Sequence, residues 1–335
     1  MKERKIQLAE LLKFRDLWMG FAMLWIVVYH FNFDLRISVL NFVENIGYGG
    51  VDIFLLASGL GCYYSLNKNS DTFKFLCRRF FRLMPTYWVF LVFWCAYMMY
   101  NGLLNVKGII GNVFCLQSLT DSSMAFNWYI TGIWILYLFA PFFKGLIDSF
   151  TTKSSYVLTI CVLLIISSAC WFNNDFIVIA TRFPIFLIGM YLAKWSLNKE
   201  VYLSGFAQIL LCCISVVGFG ILYICKTRFE DLCWNYGLHW YPFLLITPGL
   251  CIVLYYLFSL ISAKPIHTIF SCLGKNSFEI YLIHLFFIKV YQDLVSANTV
   301  EVTVVNNIIV VLLIVVGCIL LKQIVKAIGK INKKA

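Results

Sequence analysis

Long runs of apolar residues alternate with short polar stretches along nearly the whole chain. A helix that crosses a bilayer needs about 20 mostly apolar residues, and ten runs approach that length. They cover residues 16–35, 50–66, 85–101, 127–146, 156–172, 178–196, 204–225, 240–261, 276–292 and 302–323. The sixth run contains Arg182 and Pro184, which predict a broken or re-entrant helix. The pattern therefore predicts an all-α, polytopic membrane bundle of about ten helices. It also predicts a single domain over residues 1–335, without a separate soluble domain.

The composition supports a membrane protein and argues against a soluble one. The chain has 335 residues, of which 61% are hydrophobic and only 13% are charged, with a mean hydropathy of +0.84. A soluble domain of this length has too small an interior to hide so much apolar surface. The 13 cysteines include no C-x-x-C pair and lie mostly in apolar runs, so we expect no metal site.

The distribution of basic residues predicts the orientation of the chain in the membrane. With a cytoplasmic N-terminus and ten spans, 21 of the 27 Lys and Arg residues fall on the cytoplasmic side. Cytoplasmic loops are enriched in these residues, so both termini are expected to be cytoplasmic. The net charge of +11 then reflects topology and does not indicate binding to nucleic acid.

Two ionisable residues are predicted to enter the membrane at a similar depth from its outer side. His30 ends the first run, fourteen residues after Asp16, which is about 21 Å further along a helix. Asp52 lies in the first turn of the second helix, which runs inward. A carboxylate beside an imidazole fixes its tautomer and raises its basicity, so His30 and Asp52 are candidate catalytic residues. Two simpler interpretations stay open: an interfacial histidine, and a helix-start carboxylate stabilised by the helix dipole.

Other charged residues are further candidates. Arg78, Arg79 and Arg82 share one helical arc on the predicted cytoplasmic side, and guanidinium groups bind phosphate bidentately. The alternative is that they anchor the chain to anionic lipid headgroups. Arg182 and His284 lie inside predicted spans, where an ionisable side chain is a functional candidate by default.

Several stretches, taken together and in order, resemble the acyltransferase-3 family of integral membrane acyltransferases. They are the first helix with Asp16 and His30, GGVDIFLLASG at 49–59, RRFFRLMPTYW at 78–88, NWYITGIWILYLFAP at 127–141, RFPIFLIGMYLA at 182–193 and SFEIYLIH at 277–284. Two positions depart from the family pattern. Met19 stands where the family usually has Arg or Lys, and Ile133 stands where it often has Glu.

The resemblance implies a membrane-bound O-acyltransferase in the cytoplasmic membrane of a bacterium. Such an enzyme would transfer an acyl group, commonly acetyl, from cytoplasmic acyl-CoA to a hydroxyl of a surface polysaccharide or its lipid-linked precursor. His30 is implied as the catalytic residue, and the arginine segment as the site for acyl-CoA. Acetyl-CoA is then a donor substrate, and no permanently bound cofactor is implied. The other site candidates are Arg15, Asp16, Ser58, Trp128, Tyr129, Arg182 and His284. A multi-pass transporter or flippase of a glycan or lipid-linked intermediate is the alternative.

Overall fold

A computed structural model describes residues 5–31, 37–117, 126–149, 153–168, 174–198 and 201–331. These residues form a bundle of α-helices with one small sheet, in which β1 (Ile6–Gln7) and β2 (Tyr202–Leu203) pair antiparallel. The helices are α1 (Leu8–Leu11), α2 (Arg15–Phe31), α3 (Ser38–Asn45), α4 (Gly50–Lys68), α5 (Thr72–Tyr100), α6 (Val106–Val113), α7 (Trp128–Ser149), α8 (Lys153–Ser168), α9 (Asn174–Ala180), α10 (Phe183–Ser196), α11 (Gly205–Arg228), α12 (Glu230–Asn235), α13 (Pro242–Leu260), α14 (Lys264–Lys275), α15 (Ser277–Ser296) and α16 (Val304–Ile331).

Within these ranges, seven helical segments are long and apolar enough to cross a membrane. They are Gly47–Lys68, Thr72–Tyr100, Trp128–Ser149, Ile177–Ser196, Gly205–Arg228, Pro242–Leu260 and Val304–Lys330. This finding confirms the polytopic helical bundle. The other three predicted spans are also helical, in α2, α8 and α15, but they are shorter or more polar. The predicted ends of the first and fifth runs, at 32–35 and 169–172, lie outside the described residues.

Two prolines affect their helices differently. Helix α5 starts after Asp71, whose side chain caps it, and continues through Pro85 to Tyr100. The predicted start of the third span at residue 85 is therefore wrong, because neighbouring helices support a proline inside a membrane helix. Pro184 instead lies in the first turn of α10, which follows a turn at 181–182. The predicted break in the sixth run is confirmed, and the first turn of a helix is where proline is favoured.

Glycines bring α4 and α10 into backbone contact at the centre of the bundle. A Cβ atom added at Gly59 would meet the carbonyl oxygen of Phe186, and one added at Gly189 would meet that of Leu56. Helices in a membrane gain little from hydrophobic association with one another, so small residues that permit close packing set the interface. The two glycines therefore fix how far apart α4 and α10 lie and in which register.

A bulky residue at Gly189 is expected to force α4 and α10 apart. We expect Gly189→Leu to lower the free energy of unfolding by about 1–3 kcal/mol, the usual effect of overpacking a core. Thermal unfolding of the purified protein in detergent measures this change. Gly220→Leu on α11 is the matched control, because among the described residues no neighbouring helix has an atom within 4 Å of the added Cβ there. Equal melting temperatures for the two variants would contradict the prediction.

Candidate active site

An aromatic cavity lies in the half of the bundle that the basic residues assign to the outer side. Its walls come from α2, α7, α9, α15, the starts of α4 and α10, and the segment 234–240. The polar and aromatic side chains that distinguish it are His30, Tyr48, Trp128, Arg182, His239 and Trp240. A few polar groups in a largely apolar cleft are typical of a small-molecule site. We call this space the outer cavity.

A second cavity, the inner cavity, lies in the half that the basic residues assign to the cytoplasmic side, and it adjoins the first. Apolar side chains line most of it, with Arg82 and Lys275 among its polar residues. Ile26, Val51 and Tyr281 line both cavities. The two cavities are therefore adjacent, and these three side chains lie between them.

Two histidines from distant parts of the sequence meet where His30 lines the outer cavity. His30 Nδ1 lies 2.8 Å from the Ile26 carbonyl oxygen, and His284 Nδ1 lies 2.8 Å from that of Ile280. A carbonyl oxygen only accepts hydrogen bonds, so each Nδ1 carries the proton and each neutral ring keeps its lone pair on Nε2. His284 Nε2 lies 3.4 Å from His30 Nδ1, with the two rings edge to face. His30 is left with its basic Nε2 for the cavity.

Asp52, which the sequence placed beside His30, pairs with Arg182. The Asp52 Oδ2 and Arg182 Nε atoms lie 3.7 Å apart, and both side chains are almost completely buried. The predicted contact between Asp52 and His30 is therefore wrong. The Ile26 carbonyl fixes the His30 tautomer in place of a carboxylate.

The register of α4 against α10 explains why Asp52 meets Arg182. Each of the two residues lies seven positions before the glycine through which its helix packs, Gly59 and Gly189. Seven residues are close to two helical turns, or about 10 Å of rise. The helices therefore present Asp52 and Arg182 at the same height and on the facing sides.

The Arg182 guanidinium is held by more than its counter-ion. Its Nη1 donates to the Val178 carbonyl oxygen at 2.7 Å, and its central carbon lies over the Trp128 ring at 5.1 Å and the Trp240 ring at 5.5 Å. Cation–π contacts of this kind strengthen when water is excluded. Arg182 thus ties four elements of the outer cavity together.

The three arginines of α5 have different roles. Arg79 is buried, donates from Nη2 to the Gly61 carbonyl oxygen at 2.8 Å, and lies over the rings of Phe75 and Tyr137. Two of these partners, Gly61 and Tyr137, lie on α4 and α7, so Arg79 braces α5 against both helices. The predicted helical arc of the three arginines holds, but Arg79 at its edge is buried and not open to a ligand. It stands 60–100° around the helix from the other two, on the side facing the bundle.

Arg78 and Arg82 remain on an open surface. They line a shallow groove together with Lys74, on the side that the distribution of basic residues predicts to be cytoplasmic, and Arg82 also lines the inner cavity. Arg78 keeps a hydrogen bond of 3.3 Å to the Ser65 hydroxyl. Arg82 is therefore a cation shared by the groove and the inner cavity.

The remaining sequence candidates divide between the cavities and the surface. Ser58 and Tyr129 line the inner cavity, and Trp128 lines the outer one. Arg15 and Asp16 form a half-exposed ion pair of 3.6 Å and belong to the lining of neither cavity.

A comparison with protein families assigns this arrangement to a class. A family model described as an acyltransferase domain matches residues 13–324, nearly the whole chain. The protein belongs to the acyltransferase-3 family. No curated protein and no solved structure matches it. The family match confirms the resemblance predicted from the sequence, and it covers both cavities.

The two departures from the acyltransferase-3 pattern fall in one place. Met19 of α2 and Ile133 of α7 both line the inner cavity. The positions where the family usually has a basic and often an acidic side chain therefore face a common space. In this acyltransferase that space is apolar at both positions.

Two polar residues of the outer cavity, Tyr48 and His239, were not among the candidates from the sequence. His239 lies in the stretch WNYGLHWY at 234–241, where the density of aromatic residues was the available signal. Tyr48 precedes α4 in GYGG at 47–50. Both side chains are functional candidates because they line the same cavity as His30.

The Asp52–Arg182 pair is expected to stabilise the fold. Asp52→Asn leaves a buried guanidinium without its counter-ion, which typically costs about 3–5 kcal/mol. Adding Arg182→Gln removes that orphaned charge, so the double variant should unfold at a higher temperature than Asp52→Asn alone. Thermal unfolding in detergent measures the melting temperatures of the single and the double variant.

Asp16→Asn serves as the control for that experiment. Its partner Arg15 is half exposed, and exposed pairs contribute only about 0–1 kcal/mol. The prediction fails if Asp52→Asn melts no lower than Asp16→Asn.

Proposed function

We propose that this acyltransferase moves an acetyl group from cytoplasmic acetyl-CoA to a hydroxyl of a carbohydrate, in the cytoplasmic membrane of a bacterium. The carbohydrate is a surface polysaccharide or its lipid-linked precursor. One observation carries the proposal: His30 lines an outer cavity that adjoins an inner cavity reaching the basic cytoplasmic groove. A donor and an acceptor that approach from opposite sides of a membrane need such a path.

The donor is proposed to bind from the cytoplasmic side. Coenzyme A carries several phosphate charges at one end and its thioester at the end of a long arm. Arg78, Arg82 and Lys74 supply positive charge around the groove, and guanidinium–phosphate hydrogen bonds are strong and directional. The arm then extends into the inner cavity, whose apolar lining suits its methylene groups.

The acceptor hydroxyl is proposed to lose its proton to His30. The Nε2 lone pair takes the proton while the hydroxyl oxygen attacks the thioester carbonyl, and the carbon–sulfur bond breaks as the ester forms. The proton then passes to the departing thiolate, so the products are an acetyl ester and free CoA. The alternative, in which Nε2 itself first accepts the acetyl group, uses the same atom.

His284 is proposed to support the charge that forms on His30. When His30 Nε2 binds a proton the ring becomes an imidazolium, and its Nδ1–H faces the Ile26 carbonyl oxygen and the His284 Nε2 lone pair. Both are acceptors, and a hydrogen bond from a charged donor is stronger than one from a neutral donor. His284 therefore acts as a positioning residue for His30, the role that the sequence predicted for Asp52.

Removal of the His30 imidazole is expected to abolish transfer. Two variants separate chemistry from structure: His30→Ala removes the whole ring, and His30→Asn keeps a donor near the Ile26 carbonyl while it removes the base. Both should reduce acetylation of surface glycan by at least about 10²-fold, the usual minimum for a general base. Base-labile acetate released from the glycan of cells that express each variant at matched levels gives the measurement. Normal acetylation by either variant would refute the mechanism.

Arg82 is expected to affect donor binding. We expect Arg82→Ala to raise the Kd for acetyl-CoA about tenfold or more, because a hydrogen bond to a charged group contributes about 1.5–3 kcal/mol. Equilibrium binding of radiolabelled acetyl-CoA to the purified protein measures it. Arg228→Ala, an exposed arginine on the predicted outer side, is the matched control. An unchanged Kd for Arg82→Ala would mean that the groove only anchors the protein to lipid headgroups.

A further inference from the structure

His239 is a buried polar residue of the outer cavity that the transfer step does not use. Its side chain lies in the segment between α12 and α13, and the residue is only 3% exposed. Its Nδ1 lies 3.1 Å from the Cys233 carbonyl oxygen, so Nδ1 carries the ring proton. Its Nε2 has no hydrogen-bond partner within the described part of the chain.

The surroundings of the ring fix its orientation. One face stacks on Trp234, with ring centroids 4.9 Å apart and an angle of 5° between the planes. Trp240 lies at 4.1 Å and Tyr48 at 5.6 Å between ring centroids. His239 lines the outer cavity, and with one face and the Nδ1 edge occupied, the buried Nε2 is the ring's remaining polar atom.

The ring stays neutral under physiological conditions. Burial lowers the pKa of His239 to about 4, and the cations Arg182 and Lys226 act in the same direction. A neutral ring with its proton on Nδ1 presents a lone pair at Nε2, and that lone pair accepts a hydrogen bond without donating one. A buried acceptor without a donor is unfavourable, so a ligand that brings a donor here is favoured.

The chemistry of the cavity indicates which class of ligand can donate a hydrogen bond to His239 Nε2. Carboxylate and phosphate groups only accept hydrogen bonds, so the His239 lone pair rejects them. Asp52 already neutralises the charge of Arg182, so little net charge remains to attract an anion. The buried Tyr48 hydroxyl also has no partner among the described residues, and a hydroxyl both donates and accepts. These groups match a ligand with more than one hydroxyl.

We infer that the outer cavity holds a polyhydroxylated acceptor through two of its hydroxyls, one facing His30 Nε2 for acylation and a second donating to His239 Nε2. The inference rests on the proposed function and adds a residue that selects the acceptor. An acceptor without the second hydroxyl would leave Nε2 unpaired, and sites built around a hydroxyl discriminate strongly against analogues that lack it.

Two substitutions separate acceptor binding from a structural role of His239. The amide of glutamine reaches about the position of Nε2, so His239→Gln can restore an acceptor there. The amide of asparagine reaches about the position of Nδ1, so His239→Asn keeps a donor for the Cys233 carbonyl oxygen and loses the acceptor. A residue that only braces the loop would tolerate Asn better than Gln, and a residue that binds a hydroxyl would tolerate Gln better than Asn.

The assay follows label from radiolabelled acetyl-CoA into base-labile esters of membrane-associated glycan, in membranes that contain equal amounts of each variant. We expect His239→Asn to reduce transfer at least about tenfold and His239→Gln to stay within about threefold of the unmutated protein. The Kd for acetyl-CoA, measured on the purified variants, should not change. Transfer by His239→Asn that equals that of the unmutated protein, or exceeds that of His239→Gln, would overturn the inference.

The same assay shows which proposal has failed. If the unmutated protein binds acetyl-CoA and labels no carbohydrate, the proposed function is wrong and this inference falls with it. If the unmutated protein labels carbohydrate, His30→Asn does not, and His239→Asn labels it normally, only the second-hydroxyl site is wrong. A parallel loss of donor affinity in His239→Asn would also overturn the inference, since it would show a general defect.

Discussion

The buried ion pair between Asp52 and Arg182 is the constraint on which the outer half of the bundle depends. A charge inside a membrane protein is costly unless it is paired or faces water, and these two side chains are almost fully buried. Their pairing requires α4 and α10 to keep one separation and one register, which Gly59 and Gly189 impose through backbone contact. It also requires the break before α10, because Arg182 lies in the turn that the break creates. The charge pair, the glycine contact and the proline break therefore act together.

The helix backbone takes over a task that is often performed by a carboxylate. In many hydrolytic sites a buried Asp holds the imidazole of the base in one tautomer. Here the carbonyl groups of Ile26 and Ile280, each four residues before a histidine, hold the Nδ1 proton of both rings. A carbonyl carries no full charge, so the arrangement avoids a second anion inside the membrane. It also leaves Asp52 available to neutralise Arg182.

Hydropathy predicted the helices well because a membrane sets a minimum length for an apolar run. It located the bundle and, through Arg182 and Pro184, the broken sixth run. Residue spacing gave the heights of His30 and Asp52 along the membrane normal, but spacing carries no information about which helices are neighbours. The pairing of Asp52 with Arg182 and of His30 with His284 arises from packing between segments more than 120 residues apart in sequence. Arg79 and Arg82 illustrate the same limit, since three positions along α5 separate a bundle-facing guanidinium from one at the cavity.

The two adjoining cavities contribute differently to substrate selection in the proposed reaction. The inner cavity is apolar at Met19 and Ile133 and shares Arg82 with the groove, which on the proposed function suits a long flexible arm that slides in. The outer cavity is aromatic and holds its polar groups in place, through stacking on His239 and through the four partners of Arg182. A rigid polar site discriminates between acceptors, whereas an apolar channel discriminates mainly by length and width. On the proposed function, the outer cavity therefore selects the acceptor. The size of the acyl group is limited by the inner cavity, at the end lined by Ile26, Val51 and Tyr281.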